Sequence, residues 1–212
     1  MRYLVSFSAG RITLALLCAL LLQAGCTAEM KARAYAGDDR DSWQQPERVI
    51  EMLGLSPGQT VADLGSGGGY FTFRLSDAVG DTGRVYAVDV DAEMNERLER
   101  LASERGADNV VTVLADYDDP KIPGSVDLIF TSNTYHHIEE RIAYFRRAAR
   151  YLKPTGRLAV LEYKRHGFFH NFLGHATEDD IIVSELEQAG YTLFAKHEFI
   201  EQQSFLIFER PL

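Results

Sequence analysis

From Thr60 onward, short apolar runs alternate with amphipathic stretches. "TVADL", "RVYAVDV", "NVVTVLA", "VDLIFTS" and "RLAVLEY" are continuous apolar runs bounded by turn residues, the pattern of strands covered on both faces. Between them, Tyr70 to Val79, Ala92 to Glu104 and Arg141 to Leu152 read as helices, the last stopped by Lys153-Pro154. The second of these turns Met94, Leu98 and Leu101 inward and its Glu and Arg residues outward. "WQQPERVIEMLGL", from Trp43, reads as one N-terminal helix, with Pro46 in its first turn and Gly54 closing it. Thr177 is placed to cap a helix over Glu178 to Ala189, with Asp180 at the capping-box position and Gly190 ending it. "YTLFAKHEF" and "SFLIFER" have no helix between them, so they pair antiparallel. The expected fold is α/β: a seven-stranded, mostly parallel sheet with helices on both faces and an antiparallel C-terminal strand. Ligands then belong at the carboxyl ends of the early strands, where strand order reverses.

The front of the chain follows another pattern. Arg2 and Arg11 are the only charges in the first 28 residues, and Ile12 to Leu22 is apolar apart from Thr13. A basic start, a short apolar middle and small residues at a cut site make a secretory signal; a spanning helix needs about 20 apolar residues. Leu22-Gln23-Ala24-Gly25-Cys26 resembles the bacterial lipoprotein box. The resemblance implies that residues 1–25 are a signal peptide and that Cys26 is lipidated on its sulfur and its new amino group. It implies membrane attachment through Cys26. With Thr27 in place of Asp, it also implies the periplasmic face of the outer membrane in a Gram-negative cell. Each buried CH₂ contributes roughly 0.8 kcal/mol, so two or three acyl chains anchor stably. Cys18 and Cys26 are the only cysteines, so the remainder cannot form a disulfide or a thiolate metal site. Residues 26–41 read as a polar tether, and 42–212 as the domain.

Charge narrows the partners. The first 25 residues hold two of the 22 basic and none of the 31 acidic residues, which leaves the rest near −11. That average field repels duplex nucleic acid. "RRAAR", Arg146 to Arg150, reads as a solvated helix surface.

"VADLGSGGGYF" is strand, glycine-rich turn and helix, with Asp63, Gly65, Gly67 and Gly69 at every second position. Glycine suits positive φ or a backbone against which a ligand presses. The dinucleotide fingerprint G-x-G-x-x-G would place its third glycine on Tyr70, and the P-loop's Gly-Lys-Ser/Thr is absent. The pattern D-x-G-x-G-x-G, followed by acids at the ends of the next two strands, resembles the class I S-adenosylmethionine-dependent methyltransferases. The resemblance runs from about Trp43 to Arg210 and implies a Rossmann-like fold and S-adenosylmethionine as cofactor. It implies that Gly65, Ser66, Gly67 and Gly69 lie against the cofactor and that Asp63 holds its amino-acid end. Asp89 takes the position that binds both ribose hydroxyls, since a carboxylate can accept two hydrogen bonds from a vicinal diol. Asp116 takes the position that reads the adenine amino group, with Tyr117 flanking the ring. The other readings are local: Asp89 caps the next helix, although Asp91 is better placed, and Asp116 is one of several loop acids.

"TSNTYHHIEE" follows the fourth strand, and by resemblance borders the reacting methyl and the acceptor. Asn133, Tyr135, His136 and His137 are therefore candidate catalytic residues, and Asn133 also a cofactor contact. A histidine titrating near pH 6.5 suits an acceptor that must lose a proton. Alternatively, one histidine of the pair faces the core or caps the next element. Glu162 ends the fifth strand and either holds an acceptor group or pairs with Lys164. His166, His170 and His175 tempt a metal reading, but without cysteine or an evident carboxylate partner no metal is expected. "HGFFHNFLGH" is expected to form a lid. Trp43, Gln44 and Gln45 begin the helix that, by resemblance, closes over the methionine end of the cofactor. The motifs leave no room for a large inserted substrate domain, so a small-molecule acceptor is expected. Two functions remain: a methyltransferase, or a catalytically silent ligand- or partner-binding lipoprotein of the cell envelope.

Overall fold

The computed structural model describes residues 39–164 and 176–211. Its strands are β1 (Thr60–Leu64), β2 (Arg84–Asp89), β3 (Val110–Leu114), β4 (Val126–Ser132), β5 (Leu152–Tyr163), β6 (Thr192–His197) and β7 (Gln203–Glu209). They form one sheet in the order β3-β2-β1-β4-β5-β7-β6. The first five strands are parallel, and β7 runs antiparallel to both β5 and β6. The order reverses between β1 and β4, which opens a crevice over their carboxyl ends.

The helices are α1 (Arg40–Gln44), α2 (Pro46–Leu53), α3 (Thr72–Val79), α4 (Ala92–Arg105), α5 (Arg141–Ala148) and α6 (Asp179–Gln188). The strands bury both faces by alternation. Ala62, Ile129, Leu158, Val160, Leu206 and Phe208 pack under α5 and α6, where Phe145, Ile182 and Leu186 meet them. Val61, Leu128, Phe130, Ala159, Phe205 and Ile207 pack on the other face with Val49 of α2 and Leu75 of α3. Each Val, Leu, Ile or Phe side chain among them, fully buried, contributes about 1.5–3 kcal/mol. β7 is buried along six of its seven residues, whereas β6 is a half-exposed edge.

Several boundaries differ from the expectation. The N-terminal helix is two helices, and the first begins at Arg40, inside the expected tether. The break is Gln45, at φ 52°, because the ring of Pro46 bars the preceding residue from continuing a right-handed helix. α3 starts at Thr72 rather than Tyr70, since the loop still turns at Gly69. α5 ends at Ala148 and passes through a 3₁₀ turn (Ala149–Tyr151) into β5, which takes in Pro154. The cap of α6 is Glu178 and not Thr177, and among the described residues the carboxylate of Asp180 accepts from the adjacent Ile181 N–H rather than closing a capping box. Asp91 does cap α4, accepting from Glu93 and Met94 N–H. Arg147 and Arg150 pair with Asp118 and Asp119 on the surface. The leader, Cys26, most of the tether, the expected lid and His166, His170 and His175 lie outside the described residues. Among the described residues no helix is long and apolar enough to cross a membrane, and no cluster could hold a metal.

Candidate functional site

The turn after β1 takes its shape from hydrogen bonds to β2. The N–H groups of Gly65 and Ser66 both donate to Val88 O, and Gly67 N–H donates to Asp89 Oδ2 at 2.8 Å. These donors are engaged within the fold, so the turn is not an open anion nest like a phosphate loop. Gly65 sits at φ +76°, and a Cβ there would lie 2.1–2.7 Å from the side chain of Thr134. Gly69, at φ +84°, would press a Cβ into Leu98 and Phe73. The spaced glycines therefore let the protein's own side chains close on the turn, in addition to any ligand.

A cleft of about 1130 Å³ lies above this turn. Of the predicted cofactor residues, Asp63, Gly65, Ser66, Gly67, Gly69, Asp89, Asp116, Tyr117 and Asn133 all line it. Asp63 is 3% exposed and accepts from Thr72 Oγ1 at 2.6 Å. Burial raises its carboxyl to about 7, helped by the nearby Asp89 and opposed by Thr72 and Arg40. Asp89 is aimed by two backbone donors, Gly67 N–H on Oδ2 and Asp91 N–H on Oδ1. Each oxygen retains a second lone-pair direction for a ligand. Asp116 pairs with Lys121 at 2.6 Å, and Tyr117 stands 85% exposed at the rim. Ser66 Oγ and Ser132 Oγ are buried without a partner among the described residues, and both residues line the cleft.

The loop after β4 divides. Asn133, at φ 55°, donates its N–H to Leu161 O, and with His136 and His137 it lines the cleft. Tyr135 does not line it. Its ring is fully buried, stacks on Phe145 at 5.2 Å and donates its hydroxyl to Glu185 Oε2. Burial, then the bond to Glu185, pushes this phenol above its ordinary value. It is a core residue, a correction that follows from the 3₁₀ turn Tyr135–His137 sending successive side chains in different directions. Glu162 is also fully buried and stands behind the cleft. Its partner is His136, whose Nδ1 lies 3.0 Å from Glu162 Oε1, and not Lys164, which reaches Ile200 O. A fixed carboxylate on one ring nitrogen sets the tautomer and aims the other.

Sequence reasoning missed Arg40, Thr134 and Gln203, and placed Tyr163 only as a strand-end residue at the ligand face. Arg40 was assigned to the tether, yet it lines the cleft and lies 3.8 Å over the Tyr70 ring, which Arg74 faces at 4.4 Å. Thr134 closes on Gly65, and Tyr163 lines the cleft beside Asn133. Gln203 lies at the far end of the chain and is buried against Gln44 and Asn133. No local motif signals contacts across such separations.

Residues 61–156 match the methyltransferase domain family. The chain is 35% identical over 119 residues to the ubiquinone/menaquinone biosynthesis C-methyltransferase of Vibrio campbellii, covering 55% of this chain and 46% of that one. It thus spans about half the length of the curated relatives it matches. A S-adenosylmethionine-dependent methyltransferase from Aquifex aeolicus superposes with a TM-score of 0.76 at 27% identity, covering 85% of this chain and 97% of that one. The magnesium protoporphyrin IX methyltransferase of Synechocystis PCC 6803, solved with bound S-adenosylmethionine, shares the fold at a TM-score of 0.62 and 19% identity, covering 80% and 79% of the two chains.

Proposed function

We propose, from the match of residues 61–156 to the methyltransferase domain family and the likeness to the Aquifex aeolicus enzyme, that the chain is a class I methyltransferase and transfers the methyl group of S-adenosylmethionine to a small-molecule acceptor. The observation that carries this reading is the grouping of Asp63, Asp89 and Asp116, from the ends of three successive strands, around one glycine-turn cleft. The polar groups fit that cofactor. Asp63 suits its ammonium, Asp89 its ribose diol, and Asp116 its adenine amino group. The orphaned hydroxyls of Ser66 and Ser132 can take further polar contacts. Arg40, across from Asp63, suits the α-carboxylate.

The bound cofactor supplies an electrophilic methyl on a sulfonium, open to in-line displacement. Asn133 and Tyr163 would orient the acceptor. His136, held at Nδ1 by Glu162, would take at Nε2 the proton that the acceptor loses as its lone pair forms the new bond to carbon. The acceptor itself is identified only as small.

The sequence of residues 1–38 supports a further part of the proposal, anchorage at the cell envelope through lipidated Cys26. Mass spectrometry of the mature N terminus tests it; an intact Met1, or an unmodified Cys26, would overturn it. For the pocket, calorimetric titration with S-adenosylmethionine and S-adenosylhomocysteine is the test. Micromolar binding, weakened about 100-fold in Asp89→Ala by the loss of two hydrogen bonds to a charged acceptor, is expected. No binding by the folded protein would sink the reading.

A further inference from the structure

A line of side-chain amides, buried at Gln44 and Gln203, connects the two walls of the cleft. Gln44 of α1 and Gln203 of β7 are both fully buried. Burying an amide is costly unless its donors and acceptors are matched, and here they are matched to each other. Arg40 Nε donates to Gln44 Oε1 at 2.5 Å, Gln44 Nε2 to Gln203 Oε1 at 2.7 Å, and Gln203 Nε2 to Asn133 Oδ1 at 2.5 Å. Asn133 in turn hydrogen-bonds Tyr163.

The line has one direction. A guanidinium only donates, so Gln44 must present its oxygen to Arg40 and its nitrogen to Gln203. The same constraint passes along to Asn133, whose oxygen must face Gln203. Its backbone N–H is fixed on Leu161 O, so the side-chain amide is what the line controls. Both ends border the cleft: Arg40 on one wall, Asn133 and Tyr163 on the other. Burial disfavours the Arg40 guanidinium, while Tyr70, Tyr163 and Asp63 favour it, so an anion arriving beside it would add to their attraction.

We propose that Gln44 and Gln203 are positioning residues that couple an anionic ligand group at Arg40 to the side-chain amide of Asn133. The proposal rests on the cofactor reading above, because the α-carboxylate of the cofactor is the anion. It goes beyond closure of a helix over that end of the ligand. It assigns the link by which closure reaches the acceptor wall.

Hydrogen exchange of the full-length protein tests it with two ligands. S-adenosylhomocysteine carries the α-carboxylate; 5′-methylthioadenosine carries the same nucleoside without it. With the first, exchange is expected to slow about tenfold in 39–45, in 65–70 and in 131–137, as ligand-linked stabilisation requires. With the second, only 65–70 is protected. In Gln203→Glu, the side chain can still accept from Gln44 but cannot donate to Asn133. S-adenosylhomocysteine should then still protect 39–45 and no longer protect 131–137. Equal protection of 39–45 by both ligands overturns the proposal, with or without a folded variant. So does retained protection of 131–137 in Gln203→Glu. Absence of any protection of 65–70 by either ligand overturns the cofactor reading along with it.

Discussion

The wall of the cleft over β1, β2 and β3 is held mainly through backbone donors, and the wall over β4 and β5 mainly through side chains. On the first, N–H groups of Gly65, Ser66 and Gly67 tie the turn to the end of β2, and Ala115 N–H ties the end of β3 to Asp89 O. On the second, His136 leans on Glu162, Asn133 on Gln203, and Tyr135 on Glu185. A backbone-built wall depends on a few glycines within one short stretch. A side-chain wall depends on partners far apart in the chain, so each part can be altered with less collateral damage. The largest effect should therefore come from a single methyl on the first wall. Gly65→Ala combines a left-handed φ with a Cβ clash against the Thr134 side chain, for about 2–5 kcal/mol together. Urea unfolding should lose that much stability. Adding Thr134→Gly should recover all but about 1–2 kcal/mol, the share that belongs to φ. No recovery would mean that Thr134 does not close the turn.

Asp63 brings charge into the backbone-built wall. Its carboxyl sits at about 7 in the fold against an ordinary 3.8. Between those values the folded protein holds a proton that the unfolded chain has released, so stability falls as pH rises through that window. The loss approaches about 4 kcal/mol above pH 7 and vanishes below the ordinary value. Asp63→Asn removes the penalty while keeping an acceptor for Thr72. It should therefore be more stable than the parent at pH 8 and about equal at pH 4, by thermal unfolding. The same substitution should abolish binding of a ligand with an α-ammonium group. In the parent, such binding should tighten as pH rises through 7, because only the ionised carboxylate attracts the cation. A variant less stable than the parent at pH 8 would show that Asp63 rests ionised and satisfied without ligand.

The same division explains what could be read from the sequence. β1 through β4, the glycine turn, the Asp91 cap and the three strand-end acids depend on local spacing, and local spacing is visible. The resemblance to a family supplied roles for those acids that spacing alone would have left open. Arg40 was hidden because the break at Gln45 splits one apparent helix and starts the first piece earlier. Gln203 was hidden because its partner is 159 positions away. Glu162 was visible as a strand-end acid, but its neighbour Lys164 suggested the wrong partner. The start of β5 is hidden in the sequence because Pro154 ordinarily marks a break; near the start of the strand it does not interrupt the paired stretch that follows.

The smallest effect concerns Tyr135, which shares a loop with Asn133 and His136 but belongs to the core. Its ring packs on Phe145, and its hydroxyl is one of several donors to Glu185; the Arg141 guanidinium supplies two more at 2.6 and 2.8 Å. Tyr135→Phe keeps the ring and leaves Glu185 paired, so the cost should be near that of one ordinary hydrogen bond, about 1 kcal/mol. Ligand affinity should change less than about twofold, since the hydroxyl does not face the cleft. Asn133→Ala, two positions earlier, should behave in the opposite way, since its amide lies between Gln203 and Tyr163 at the cleft. Calorimetry and thermal unfolding of the two variants side by side separate the cases. A tenfold loss of affinity in Tyr135→Phe would return that residue to the site and place the boundary between core and cleft elsewhere in the loop.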